Sequence, residues 1–346
     1  MMRPSLWTVR IAAALSLLTT VGAGAQTPPS PGYALVKSVR LGAPDRWDYV
    51  VFDSDGGRVY VAHGDRLAVI DAGAGVLIGE VTGIAGGAHG TGISLATGQG
   101  FTDDGRNGVA AAFDLKTLKI TKTIPADQDA DAIVADPASG HIFVIEGDPA
   151  AITVIDPKTD AEVATIQAGE KMEYGVADGQ GAIYVAGNAN KDLLKIDART
   201  NAVVARWPTP DCTSPHGLAY DPAGRRLFMG CVNSTLMVVD ADSGKVSAEL
   251  AIGRGSDAVA FDAQRRRVFS SNGLDGTITV YQQLGPDAYS PLGDVVTVVS
   301  GRTMAVDPQS GRLFVAAADT DPPAAPGGRP RPKPGTLRLM MFDPVK

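Results

Sequence analysis

Seven ionisable side chains recur at one place in a repeating phrase: Asp48, His89, Asp131, Glu173, His216, Asp257 and Arg302. Each stands five residues before an anchor, namely Asp53, Ser94, Asp136, Asp178, Asp221, Asp262 or Asp307. If equivalent positions converge, four carboxylates, two imidazoles and one guanidinium share a cavity. Like charges at close quarters cannot all ionise cheaply, so such a ring raises some pKa values or takes up a cation. His89, His216, Asp131 and Asp257 offer oxygen and imidazole donors that suit Zn, Mn, Fe or Ca rather than copper(I), which prefers sulfur. A carboxylate beside His89 or His216 can instead serve acid–base catalysis. Arg302 would then grip a substrate carboxylate through two N–H groups. Asp48, Asp131, Glu173 and Asp257 are candidates to bind a cationic or small-molecule ligand, and His63 is the loop residue best placed to join them. A third reading needs no ligand: such residues tie loops together by hydrogen bonds. The spacing alone leaves all three open.

The elements that would position the ring are short strands. The phrase is an apolar run, an Asp, a tight turn and a second apolar run, as in DAIVADPASGHIFVI (131–145), HGLAYDPAGRRLFM (216–229) and DAVAFDAQRRRVFS (257–270). Weaker copies cover 89–102 and 173–186. A third run follows, ending in Asp: ITVID (152–156), LLKID (193–197), LMVVD (236–240). An Asp side chain there can accept from backbone N–H groups two residues on, which sets the turn. A fourth, more polar run completes the unit, for example KITKTI (119–124). Anchors recur about every 41 to 45 residues, the period of a four-stranded propeller blade. One blade cannot bury its own apolar face, whereas a ring of them can. The expected fold is all-β: a seven-bladed β-propeller of four-stranded antiparallel blades forming one domain over 34–346. The last repeat stops after its third strand (337–343), so a spare strand at 34–41 is expected to complete it and close the ring.

In that geometry the ring residues surround one mouth of the central channel. The loops between second and third strands share that face, and their Asp and Asn residues read mainly as turn chemistry. His141 falls on the opposite face. The last repeat also carries DTDPPAAPGGRPRPKPG (319–335). Its proline content predicts an extended or mobile segment rather than a strand. It is a lid, a docking arm or a tolerated insertion.

Composition sets the bounds. Residues 1–25 read as a secretory signal: Arg3 and Arg10, an apolar core at 11–21 too short to span a membrane, and a small-residue cleavage site ending at Ala25. A Pro-rich lead-in (26–33) follows. A periplasmic or secreted location without a membrane anchor is expected. Cleavage would shift the net charge from −7 to about −9. So acidic a chain lacks the broad basic surface that phosphate backbones need, so nucleic acid is not the expected partner. Cys212 and Cys231 flank the first hairpin of the fifth repeat. An oxidising compartment favours a disulfide between them, contributing about 3 kcal/mol. Gly-x-Ser-x-Gly, Cys-x-x-Cys-His and His-Glu-x-x-His motifs are absent.

RVYVA (58–62), AIYVA (182–186) and RLFVA (312–316), with the Asp-Pro turns at 136–140, 221–225 and 307–312, carry a resemblance. The chain resembles the YVTN-repeat, YncE-like exported propellers over nearly all of its length beyond the signal. Ser94 in place of a turn Asp, and Gln264-Arg265-Arg266 in place of a Gly turn, depart from the pattern. The resemblance implies a periplasmic seven-bladed ring. DNA binding, suggested for one member, sits badly with the acidic charge. Binding of a metal, cation or small molecule at an acidic channel mouth, or a scaffold role there, is the expected function. The alternatives are a metal-assisted hydrolase, lactonase or lyase, or an interaction subunit docking on a periplasmic protein partner such as a dehydrogenase.

Overall fold

The computed structural model describes residues 31–324 and 330–345. The signal segment expected at 1–25 lies outside them. Seven four-stranded antiparallel sheets make the ring; six are hydrogen-bonded in chain order, and the last takes its outer strand from the N-terminal segment. The first blade runs Val50–Asp53, Arg58–His63, Arg66–Asp71, Val76–Thr82. The innermost strands of the next six are Thr91–Ser94, Ala130–Ala135, Met172–Ala177, Pro215–Asp221, Ser256–Asp262 and Thr303–Val306. Second and third strands are buried on both faces between neighbouring blades, as at Val59–Ala62 and Leu67–Ile70. Their sequences are therefore continuous apolar runs rather than alternating ones. Fourth strands are largely exposed, as in Val76–Thr82.

Ring closure follows the expected route. Tyr33–Arg40 pairs antiparallel with Arg338–Pro344, in register from Tyr33 opposite Pro344 to Arg40 opposite Arg338. Across that seam Phe314, Leu339 and Met341 pack with Val59, Val61 and Ile70 in one apolar cluster. Every buried methylene there adds about 0.8 kcal/mol of transfer free energy.

The turn aspartates do what their spacing predicts. Asp53 Oδ1 accepts from the N–H groups of Asp55 and Gly56 at 3.2 and 3.0 Å. Asp240 Oδ1 accepts likewise from Asp242 and Ser243 at 3.1 and 2.8 Å. Where Ser94 replaces Asp, Thr97 Oγ1 donates to Ser94 Oγ at 3.0 Å. The Gly-free turn after Asp262 is held by N–H groups of Gln264 and Arg265, both at 2.9 Å. Cys212 and Cys231 form the expected disulfide.

One expectation is corrected. The Pro-rich insert does form strand: Thr320–Asp321 pairs with Arg331–Pro332. Proline keeps its carbonyl acceptor, and an edge position does not need the missing N–H. Lys333 N–H extends the ladder to Asp319 O at 2.7 Å. Asp45 then anchors the return by accepting from the N–H groups of Gly335, Thr336 and Leu337. Among the described residues the only helical piece is a 3-10 turn at Gly105–Asn107, and no helix is long and apolar enough to cross a membrane.

Candidate functional site

All seven ring residues lie outside the regular ladder. Asp48, His89 and Arg302 precede their inner strands. Asp131, Glu173, His216 and Asp257 fall within register shifts, between Ala130 and Ala132, Met172 and Gly175, Pro215 and Leu218, and Ser256 and Val259. A bulge bends the strand and re-aims the side chain it carries. The repeat thereby turns an ionisable group out of the sheet toward the axis at every blade.

The structure brings these seven together. Arg302 Nη1 donates to Asp257 Oδ2 at 3.1 Å, and Nη2 to the Trp47 carbonyl at 2.6 Å. The same guanidinium lies 5.4 Å from the Trp47 ring centroid. Asp257 Oδ1 is 3.2 Å from His216 Nδ1, which is 3.6 Å from Glu173 Oε2. Asn188 Nδ2 donates to Glu173 Oε1 at 2.8 Å. His89 Nδ1 bonds Asp103 Oδ2 at 2.6 Å, while Asp103 Oδ1 takes the N–H groups of His89 and Gly90 at 2.9 and 2.7 Å. Asp48 feels Arg302, His89 and Asp257, and Asp131 feels Asp48, His89 and Glu173.

Carboxylates so crowded resist ionisation. Burial pushes Asp48 up to about 6, against Arg302 and His89 and with the help of Asp257 and Asp103. Burial, then the Asp48 carboxylate, lifts Asp131 well above the usual range. Glu173 rises through burial, with His216 and Asn188 opposing. Burial disfavours a charge on His89, but Asp103 and then Asp48 and Asp131 overcome it and push the ring up to about 9. Arg46 Nη2 stands 2.9 Å from His89 Nε2, a contact that suits only the neutral ring. The Asp103 contact is buried and fixed, whereas Arg46 is exposed, so Arg46 is the group that yields when the imidazole is charged.

Space remains beside this network. A pocket of about 460 Å³ opens over blades five to seven, lined by Trp47, His216, Val232, Asp257, Leu274 and Arg302 and faced by Pro330 and Pro332 of the insert. A second, of about 440 Å³, lies on the far side of Arg46 among His89, Arg106, Asp127, Asp129 and Asp148. Beside the ring, Tyr49 and Tyr174 pack in a tilted contact, 4.7 Å between centroids and 48° between planes. The Tyr49 hydroxyl is held well above its ordinary pKa by burial and then by the negative charge of Asp131, Asp48, Glu173 and Asp257. Tyr174 also lines a wide opening together with Phe52, Ile93, Tyr220 and Phe261 and with Asp53, Asp55 and Asp178.

His63 stands apart from this assembly. Its Nε2 bonds the Pro44 carbonyl at 2.7 Å, burial lowers its pKa, and the charges it feels are Arg66 and Glu80. Loop position placed it on the right face, but its ring turns into the blade. Asp103, Asn188, Tyr49, Tyr174 and Trp47 are site residues that spacing did not mark. Among the described residues no three His, Cys, Asp or Glu side chains stand close enough to hold a metal ion.

Solved structures share the fold at low identity. A chain of the mitotic checkpoint complex superposes with TM-score 0.75 at 14% identity, over 96% of this chain and 100% of that one. The WD40 repeats of RRP9 give TM-score 0.74 at 11% identity, over 92% and 99%. Hydrazine synthase of Kuenenia stuttgartiensis gives 0.69 at 13% identity, over 86% and 95%. No protein-family model matches the chain, and no curated protein matches it.

Proposed function

We propose that the chain is an exported, YncE-like binding propeller that takes a small organic cation at its channel mouth. The carrying observation is that Asp48, Asp131, Glu173 and Asp257, each at the start of its inner strand, crowd one channel mouth beside an open pocket, with Asp257 and Glu173 meeting on His216 at 3.2 and 3.6 Å. Their excess negative charge is relieved by protons in the unliganded ring, and a cation would replace those protons. The adjoining pocket supplies an apolar wall for the organic part through Trp47, Leu274 and two prolines. The signal-like start at 1–25 and the disulfide favour a periplasmic or secreted location. A divalent ion at His89, His216, Asp131 and Asp257 is the competing occupant. The spread of these donors around the ring favours the larger, softer cation.

Calorimetric titration of the purified protein tests this. Alkylammonium ions and diamines are expected to bind at pH 6 with release of protons, and more tightly as pH rises. A neutral isostere that binds as well as the cation would overturn the reading. Stoichiometric metal in elemental analysis would replace the organic cation by an ion.

A protein partner is a second reading, favoured by an apolar stretch on the rim. Leu35 and Val36 (51% and 52% exposed) adjoin Val76, Leu77 and Ile78 (46%, 44% and 44%) on the outer strands of two neighbouring blades. Lys37 Nζ ties those strands by donating to Ala74 O at 2.7 Å. Substituting Leu77→Glu should release any co-purifying partner while leaving cation uptake intact.

A further inference from the structure

We propose that Ser214, His216 and Asp257 form a nucleophile, base and orienting carboxylate at the edge of the channel-mouth pocket, and that the protein transfers acyl groups from small esters. Ser214 Oγ lies 3.4 Å from His216 Nε2, and His216 Nδ1 lies 3.2 Å from Asp257 Oδ1. That is the order of contacts a serine nucleophile needs: hydroxyl to one ring nitrogen, carboxylate to the other. Both carboxylates near Nδ1, Asp257 and Glu173, favour the proton on that nitrogen. Nε2 is then the acceptor for the serine hydroxyl. Arg302 Nη1 holds the second oxygen of Asp257, so the orienting group is itself held in place. The resting Ser–His contact is long, as catalytic contacts often are before substrate binds.

The backbone at this serine is fixed by the repeat and by a cross-link. Its φ is +46°, the left-handed turn that Asp129 and Ser300 also make two residues before their own ring residues. Cys212, two residues earlier, is bonded to Cys231, and Pro215, the next residue, pairs in register with Cys231. Asn188 Nδ2 donates to Ser214 Oγ at 3.2 Å as well as to Glu173. Ser214 is half-buried, and Val232, whose N–H donates to its carbonyl at 3.4 Å, lines the 460 Å³ pocket.

The reaction balances within these groups. Ser214 Oγ bonds to the ester carbonyl carbon while its proton passes to His216 Nε2. The oxyanion that forms takes an N–H of Asn188. Collapse breaks the carbon–oxygen bond to the alcohol, which leaves with the proton from Nε2. A water, deprotonated by Nε2, then cleaves the acyl-serine, and the proton returns to Ser214 Oγ. The substrate class is a small ester with an apolar portion that fits against Trp47, Leu274 and the insert prolines. The inference uses the channel-mouth pocket but not its proposed cation.

The test is covalent labelling of the full chain with a fluorophosphonate, without any cation added, read by intact mass and peptide mapping. One adduct per chain on Ser214 is expected, with none in Ser214→Ala. His216→Gln should label at least ~100-fold more slowly, and Asn188→Ala ~100-fold more slowly. Asp257 acts through His216 as a positioning residue: Asp257→Asn should shift the pH profile of labelling, and Asp257→Glu should restore it in part. Circular dichroism and thermal melting confirm that each variant is folded. No adduct on Ser214 in the folded wild type, or labelling undiminished in His216→Gln, would overturn the proposal. Either result leaves the cation reading standing, because labelling is read in its absence.

Discussion

His89 and His216 hold the same place in their repeats, yet they meet different partners. His89 is paired at 2.6 Å with Asp103, a fully buried carboxylate from the second strand of its own blade. His216 reaches the ring residues of both neighbouring blades, Asp257 at 3.2 Å and Glu173 at 3.6 Å, and these side chains are 20% and 14% exposed. The first arrangement clamps a loop. Its carboxylate also satisfies two backbone N–H groups that would otherwise be orphaned. Both imidazoles adjoin a pocket, but the second meets partly exposed carboxylates from two blades at one nitrogen and a serine at the other. Repeat position therefore decides where a side chain stands, and the strand that supplies its partner decides what it can do.

The largest expected difference is in stability. Asp103→Ala removes a fully buried carboxylate from the His89 imidazole and leaves two N–H groups unpaired, and should cost about 3–5 kcal/mol in urea unfolding. Asp257→Ala, at a partly exposed site, should cost about 1 kcal/mol. Equal costs would erase the distinction. Next, Cys212→Ser with Cys231→Ser should lose about 3 kcal/mol. It should also loosen the backbone at Ser214 while leaving the His89 clamp untouched, which hydrogen exchange would show by a change in protection on the fifth blade alone.

A smaller effect concerns pH. The folded pKa values of Asp48, Asp131 and Glu173 lie above their unfolded values, so the folded state binds more protons than the unfolded one. Their contribution to stability is present below about 4 and lost as pH rises through about 6 for Asp48. Thermal melting should show that decline, and Asp131→Asn should flatten it, raising Tm by a few degrees at pH 8. His89 behaves in the other window. Its raised pKa stabilises the fold below about 6.5, and the gain is lost as pH rises through about 9. The smallest effect is on the imidazoles themselves. Arg46→Ala removes a cation from His89 Nε2 and should move its NMR titration slightly upward without moving that of His216.

Much of this architecture was legible beforehand because it follows from local spacing. The anchors, the ring five residues upstream, the closing strand and the disulfide each need only the repeat and its period. The partners were not legible. Asp103 lies at the end of a strand beside an Asp-Gly turn and Asn188 lies in a loop, and spacing cannot distinguish a turn residue from one that reaches the ring. Tyr49 and Tyr174 read as members of apolar runs, because nothing local says that the two phenols will meet across the ring from the first and fourth blades. Ser214 owes its interest to its contact with His216 Nε2 rather than to a motif. The insert shows the converse: six prolines rule out a long strand, but its two-residue ladder depends on Asp45 and Asp319 holding the ends.

The pairing of Tyr33–Arg40 with Arg338–Pro344 has a consequence for the order of events. These segments are separated by nearly the whole chain, and bringing them together costs about 5 kcal/mol of loop entropy if no blade has formed. Blades assembled in between shorten that search, so the join is expected to come last. Until then the molecule is an open arc with one sector gaping, and groups from its two horns do not share an axis. Occupancy of the axis by any ligand would therefore report a finished circle, and a chain clipped at either horn would lose both together.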